Sequence, residues 1–328
     1  MPILALGVLL TAFLLGLVLG GPYIRLLRRL RMGKQIRLEG PASHYMKQGT
    51  PTMGGALPIV IVVLLWVAVL GLVPLDVRGD FVAQTLMPIV ALVLVAILGL
   101  IDDYVNVVYG FGIRGRHKVV WQVIVAMFVA INLQRYFGIT GVYVPLFGEW
   151  EIGALAFIGL AVLAILATSN GVNLTDGLDG LAGGTLVFAF LSFAFIAAAR
   201  GFPWLVVFCA AIIGALLAYL WYNVHPAEFI MGDVGALAFG ATLAAVALTT
   251  GFILLLPVVG VIFVIVTGSV ILQVGSYKLR GKRIFRMAPL HHHLELIGWP
   301  EEKVTIRFWL IGALAAIVAA ILAFVTPL

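Results

Sequence analysis

Ten stretches of close to twenty mostly apolar residues run through this chain: 3–24, 53–73, 84–101, 119–137, 153–172, 180–199, 203–222, 234–250, 253–277 and 306–326. A helix needs about 20 such residues to cross the hydrocarbon of a bilayer. The split between the eighth and ninth rests on length, because little more than Gly251 separates them. Of the 328 residues, 63% are hydrophobic and 10% charged, against roughly 45–50% and 25% in an ordinary globular domain. That leaves too little polar surface for a cytosolic enzyme, a disordered chain or a nucleic-acid-binding domain, despite a net charge of +6. The expected fold is an all-α polytopic membrane protein with ten transmembrane helices, residues 1–328 forming a single integral membrane domain.

Charge placement gives the orientation. No basic side chain precedes the first stretch, whereas Arg25, Arg28, Arg29 and Arg31 follow it. This is the flank of a retained span with its N-terminus outside, not of a cleaved signal peptide. Ten spans then put loops 25–52, 102–118, 173–179, 223–233 and 278–305 in the cytoplasm and both termini outside. With Arg307, these loops hold 17 of the 20 Lys and Arg residues, leaving Arg78, Arg135 and Arg200 on the other side. Such asymmetry is the positive-inside pattern. On the outer side, residues 138–152 alternate apolar and turn residues and predict a small hairpin. The single cysteine, Cys209, sits in an apolar run, which excludes an intrachain disulfide and a thiolate metal site.

Acids near a bilayer are costly unless something compensates them. Asp102 and Asp103 end the third stretch, where the helix dipole disfavours negative charge. Asp176 and Asp179 lie in N-L-T-D-G-L-D-G (173–180) and Asp233 in F-I-M-G-D-V-G (229–235). All five fall on the cytoplasmic side. Loops 173–179 and 223–233 contain no Lys or Arg, so their three Asp residues point to a metal or a donor-rich ligand. A plain turn is the simpler reading of N-L-T-D-G-L-D-G. Oxygen donors without thiolates favour Mg²⁺ over zinc. Asp76, Asp80, Glu149, Glu151, Glu301 and Glu302 read as solvated loop charges, the last two opening a short helix after Pro300.

Other polar groups surround this set. His291, His292 and His293 are consecutive, so they cannot all face one point on a helix; they suit hydrogen bonding or diphosphate binding. His44 and Lys47 precede T-P-T-M-G-G (50–55), which contains Thr52, and Arg114, Arg116, His117 and Lys118 follow the Asp pair. Singly, the cations read as membrane anchors; together they offer an anionic substrate its counter-charge. No phosphate-binding G-x-x-x-x-G-K-[ST] loop is present.

Taken in order, T-P-T-M-G-G (50–55), D-D-Y (102–104), N-L-T-D-G-L-D-G-L-A-G-G (173–184), M-G-D-V-G (231–235) and P-L-H-H-H-L-E (289–295) resemble the polyprenyl-phosphate N-acetylhexosamine-1-phosphate transferases. The P-L-H-H-H-x-E block most resembles the branch that uses the muramoyl-pentapeptide donor. The resemblance covers about residues 40 to 300. It implies transfer of phospho-N-acetylmuramoyl-pentapeptide from UDP-N-acetylmuramoyl-pentapeptide to undecaprenyl phosphate, giving lipid I and UMP in peptidoglycan synthesis. It further implies Mg²⁺ dependence, residence in the bacterial inner membrane with a cytoplasmic active site, and a homodimer. By motif, Asp233 is the Mg²⁺ ligand, and Asp102, with Asp103 beside it, deprotonates or positions the lipid phosphate. Asn173 and Asp176 line the site. Asp179, Gly177, Leu178, Asn223 and Lys47 hold the uridine and its neighbourhood. Thr52 belongs to the substrate-binding set, Lys118 faces phosphate, and His291, His292 and His293 lie near the diphosphate and sugar.

Three positions depart from that pattern. The family's Lys three residues after the Asp pair is Asn106 here, its Phe before M-G-D is Ile230 with Phe229 adjacent, and its Ser after M-G-D-x-G is Ala236. Stacking of Phe229 on uracil would need a shifted backbone. Other readings are a sister transferase using UDP-N-acetylglucosamine, an ion-coupled transporter with acids near mid-span, and a non-catalytic scaffold, which leaves the acids unexplained.

Overall fold

A computed structural model describes residues 1–33 and 49–327. The chain is overwhelmingly helical, as its apolar runs require. It forms α1 (Pro2–Arg29), α2 (Ala56–Leu72), α3 (Arg78–Tyr109), α4 (Gly115–Phe137), α5 (Ala154–Thr175), α6 (Leu181–Ala199), α7 (Pro203–Asn223), α8 (Gly232–Thr249), a short α9 (Leu256–Val259), α10 (Val261–Arg280), the seven-residue α11 (Leu290–Leu296) and α12 (Glu301–Val325). Among the described residues, nine helices are long and apolar enough to cross a membrane: α1, α3 to α8, α10 and α12. The apolar α2 has 17 residues and is shorter. The protein is an all-α polytopic membrane protein.

Three sequence boundaries are corrected. The third stretch does not end at the Asp pair: α3 continues to Tyr109 and stops at Gly110, because nothing between breaks the helix. The ninth is not one span from residue 253. A 3-10 turn (Ile253–Leu255) and α9 precede the continuous α10. Pro257 is accommodated in the first turn of α9, and Gly260 separates α9 from α10. The helix after Pro300 is not short, since α12 runs 25 residues from Glu301 into the last span.

Helix α8 occupies the centre. Every residue from Val234 to Thr249 is buried, with α3 and α5 packed along it. Its many Ala and Gly residues allow close approach, the usual basis of helix association without a hydrophobic driving force. At Gly99 of α3, a Cβ would overlap the backbone of Asp233 and Val234. Polar bridges fix the register: Gln122 Nε2 donates to Ser169 Oγ at 3.1 Å and Ser169 Oγ to the Leu237 carbonyl at 2.9 Å, linking α4, α5 and α8. Outside this centre, α7 packs on α1 and α6, and α12 on α6.

The bundle has two unlike ends. At one, α4 and α6 stop and α5 starts, and the expected hairpin forms from β1 (Gly141–Val144) and β2 (Gly148–Glu151). The Tyr143 N–H donates to the Gly251 carbonyl at 2.9 Å, tying the hairpin to the end of α8. Tyr143 stacks on Phe252 at 4.7 Å, and the Arg200 guanidinium lies 4.8 Å and 4.4 Å from the two rings. At the other end, α3, α5 and α7 finish, α8 begins and α11 lies alongside.

Candidate active site

The second end gathers the acids. Asp102 and Asp103 lie in the last turns of α3 and are 3% and 5% exposed. Asp233 lies in the first turn of α8. Carboxylate oxygens of the three lie within 4.8 Å of one another, an oxygen-only donor set that could hold a metal ion. They sit together at one end, unlike the dispersed mid-span acids that a transporter reading expects.

Their surroundings give the acids different tasks. Asp103 accepts the backbone N–H groups of Asp233 and Val234, both at 3.1 Å. It therefore caps the N-terminus of α8 from a neighbouring helix and favours the positive end of that dipole. Gly232 makes this fit, with φ +75 and a position where a Cβ would overlap the Asp103 carboxylate. Asp102 accepts from the Ile113 N–H at 2.5 Å and from Lys118 Nζ at 2.6 Å. The same ammonium lies 2.7 Å from Asp233 Oδ2, and Asn173 Nδ2 donates to Asp233 Oδ1 at 2.9 Å. Lys118 thus stands between two carboxylates and supplies the local counter-charge. Arg114, Arg116 and His117 remain exposed beside it.

Beside these acids is a cavity of ≈ 90 Å³, lined among others by Thr52, Asn106, Asn173 and Asp176. Asn106 faces the acids but brings no charge, and among the described residues Lys118 is the cation that reaches them. A larger cavity of ≈ 670 Å³ is lined by Asp179, His225, Ile230, Trp299 and Glu301, among others. That is the size of a pocket for a small organic ligand. Phe229 does not enter it. The ring is fully buried against Tyr219 and Tyr222, 5.1 Å and 6.1 Å away.

The loop between α5 and α6 joins the cavities. Asp176 closes α5. Gly177 faces the fully buried His291, whose ring fills the space a Cβ would need. Leu178 packs with Leu181, Val266 and Phe308. Asn223, at the end of α7, accepts the Gly180 N–H at 3.0 Å and donates to the Phe229 carbonyl at 2.8 Å. The three histidines diverge as helical geometry demands. His291 points inward, His292 Nδ1 lies 2.8 Å from Glu295 Oε2, and His293 Nδ1 accepts the Arg286 N–H at 3.2 Å. Lys47 and His44 lie outside the described residues.

Sequence reasoning misassigned one residue and overlooked others. Glu301 is not a solvated loop charge: it is 9% exposed, and its Oε1 accepts the Asp179 N–H at 2.6 Å. Glu302, the next residue, is solvated, with its side chain 52% exposed. His225, Thr305 and Trp309 also border the loop. For Thr305 and Trp309 the signal in the sequence is their spacing from Glu301, one turn apart on a single helix face; His225 has no such signal.

An apolar bundle with an acid, amide and lysine cluster at one end, opening beside a pocket of ligand size, defines an integral membrane protein with a built polar site. Residues 85–251 match the model of glycosyl transferase family 4. Curated relatives match nearly the whole chain. The phospho-N-acetylmuramoyl-pentapeptide-transferase of Shouchella clausii is 44% identical over 316 residues, covering 95% of both chains. That of Chloroflexus aurantiacus is 44% identical, covering 96% of this chain and 88% of its own. That of Desulforudis audaxviator is 43% identical, covering 93% and 94%. The chain belongs to the phospho-N-acetylmuramoyl-pentapeptide-transferases, within glycosyl transferase family 4.

Proposed function

We propose that the protein transfers phospho-N-acetylmuramoyl-pentapeptide from UDP-N-acetylmuramoyl-pentapeptide to undecaprenyl phosphate, releasing UMP and forming lipid I. The observation that carries this reading is Lys118 bridging Asp102 and Asp233 beside the Asn173 and Asp176 cavity. Phosphoryl transfer depends mainly on such positioning and charge neutralisation. An oxygen of the lipid phosphate attacks the sugar-bearing phosphorus of the donor. The bond from that phosphorus to the bridging oxygen breaks, and UMP leaves with the electron pair.

In this reading Asp102 orients the lipid phosphate. A phosphate monoester has a second pKa near 6, so it is largely dianionic at neutral pH and needs orientation more than a strong base. Lys118 offsets its charge, and Asn173 holds the Asp233 carboxylate in place. The donor set is all oxygen and suits Mg²⁺, with Asp233 as ligand. When bound there, Mg²⁺ supplies charge neutralisation at the diphosphate. The nucleotide occupies the larger cavity along Asp179 and Ile230, with Gly177 and Leu178 in the adjoining loop, Asn223 against it and the histidines toward the sugar; Lys47 belongs to this set by motif alone.

The topology belongs to the same proposal. Ten spans, with α2 as the second, put this end of the bundle in the cytoplasm of a bacterial inner membrane and both termini outside. A homodimer belongs to the proposal as well, and light scattering of the detergent-solubilised protein would test it by mass.

The test is transfer of radiolabelled phospho-sugar by purified protein, with and without Mg²⁺, beside Asp233→Ala. Mg²⁺-dependent lipid product, abolished by Asp233→Ala, is expected. Product from UDP-N-acetylglucosamine alone would replace the donor assignment, and no product from either donor by folded protein would overturn the reaction.

A further inference from the structure

The segment Asp179–Gly180 is held by side chains at every backbone polar group. The Asp179 N–H donates to Glu301 Oε1 at 2.6 Å, and Thr305 Oγ1 donates to the Asp179 carbonyl at 3.2 Å. The Gly180 N–H donates to Asn223 Oδ1 at 3.0 Å, and Trp309 Nε1 donates to the Gly180 carbonyl at 3.1 Å. Three of the four partners come from α12 at intervals of one turn, so a single face of the last helix reads three consecutive peptide units more than a hundred residues earlier. The Asp179 side chain is tied to the same helix. Its Oδ2 accepts the Ala227 N–H at 3.1 Å and lies 2.9 Å from His225 Nδ1, which is 3.6 Å from Glu301 Oε2.

Folding of α12 does not call for this arrangement. An acid in the first turn of a helix is favoured by the dipole in full solvent, as Glu302 shows. Burying Glu301 carries a desolvation cost that needs specific partners, and those partners are Asp179 and His225. Thr305 and Trp309 add two more donors in line. A helix needing only to pack would present apolar groups here, as Val304 and Phe308 do on the adjacent face.

We infer that Glu301, Thr305 and Trp309 form a positioning ladder that sets the backbone of the nucleotide-holding loop, with Glu301 as its principal rung. This rests on the reading that Asp179 and its neighbours hold the nucleotide. Thr305 and Trp309 touch the loop and act through it, while Glu301 also borders the cavity assigned to the nucleotide. Loss of any of the three should therefore weaken capture of the donor more than turnover of bound donor, and the Thr305 and Trp309 variants separate action through the loop from direct contact. The lipid acceptor meets a different part of the site and should be indifferent to them.

The experiment is steady-state kinetics of the full chain in detergent, with each substrate varied in turn, together with calorimetric binding of UMP. Glu301→Ala should raise KM for UDP-N-acetylmuramoyl-pentapeptide and weaken UMP binding by at least about tenfold, the scale of a lost hydrogen bond to a charged group. The kcat and the KM for undecaprenyl phosphate should change by less than about threefold, within the range of an ordinary net hydrogen bond. Glu301→Gln keeps an oxygen to accept the Asp179 N–H and should recover most of the donor affinity. Trp309→Phe and Thr305→Val remove one donor each with little change of shape. They should show the same split at smaller amplitude, and they carry the test if Glu301→Ala does not fold. Unchanged donor KM in folded variants, or equal losses for both substrates, overturns the ladder alone. A wild type that transfers the phospho-sugar but binds no UMP overturns the nucleotide assignment and the ladder with it.

Discussion

The Asp103 carboxylate accepts the backbone N–H of Asp233 at 3.1 Å, so one acid of the site aims another. Asp103 acts on the start of a helix, whereas Asp102 and Asp233 share the Lys118 ammonium. The adjacent acids Asp102 and Asp103 should therefore respond differently to substitution. Asp103→Ala should destabilise the protein by about 0.5–2 kcal/mol, the range for a lost helix cap, and reduce turnover by displacing Asp233. Asp103→Asn retains an acceptor and should restore much of the thermal midpoint. Asp102→Asn should abolish transfer with a smaller change in midpoint. A melting shift for Asp102→Asn as large as that for Asp103→Ala would count against this division.

Lys118 is the counter-charge between two carboxylates. Lys118→Ala should lower turnover by roughly 10²-fold, the scale of losing one preorganised stabilising donor. The same variant leaves a more negative site, so Mn²⁺ titrated as an electron-spin-resonance probe should bind more tightly than to wild type. Weaker Mn²⁺ binding would mean instead that Lys118 chiefly organises the acids.

Gly232 has φ +75, where any Cβ meets Asp103. Left-handed backbone alone costs an L-residue about 1–2 kcal/mol, and the overlap adds to it. Gly232→Ala should lower the melting temperature and eliminate activity. Gly275→Ala in α10, where the added methyl meets open space, should be silent in both assays.

Ile230 lines the larger cavity while Phe229 is locked among tyrosines. Placing the family's ring at the cavity wall should strengthen donor binding. Ile230→Phe is expected to lower the donor KM by about fivefold, within the range of an aromatic pair, with kcat little altered. Phe229→Leu should instead affect stability, read by thermal unfolding. A donor KM that is unchanged in Ile230→Phe would show that the base does not lie against this wall.

Much of the architecture was legible because bilayer physics leaves few alternatives: runs of apolar residues became helices, and alternation at 138–152 became a hairpin. Asp102 and Asp233 stand out in sequence for the same reason, being expensive where they lie. The breaks around α9 were missed because hydropathy records the length of an apolar run and not its continuity. The helical role of Asp103 depends on an α8 terminus 130 residues away in the chain. Glu301 looked solvated because an acid beginning a helix is ordinary, and only the docking of α12 against Asp179 reveals its burial.

The burial of α8 bears on how this protein can change over generations. Helices such as α1 and α12 leave many side chains uncovered, and those positions can drift among apolar residues one at a time. From Val234 to Thr249, α8 has no free side. An enlarged residue there must be matched at once by a smaller one on a neighbour, and the displacement it causes reaches Asp233 directly. Escape from a compound lodged in the site should therefore arise at the rims, in the loops around Asp179 and Ile230, while the axis that carries Asp233 stays fixed.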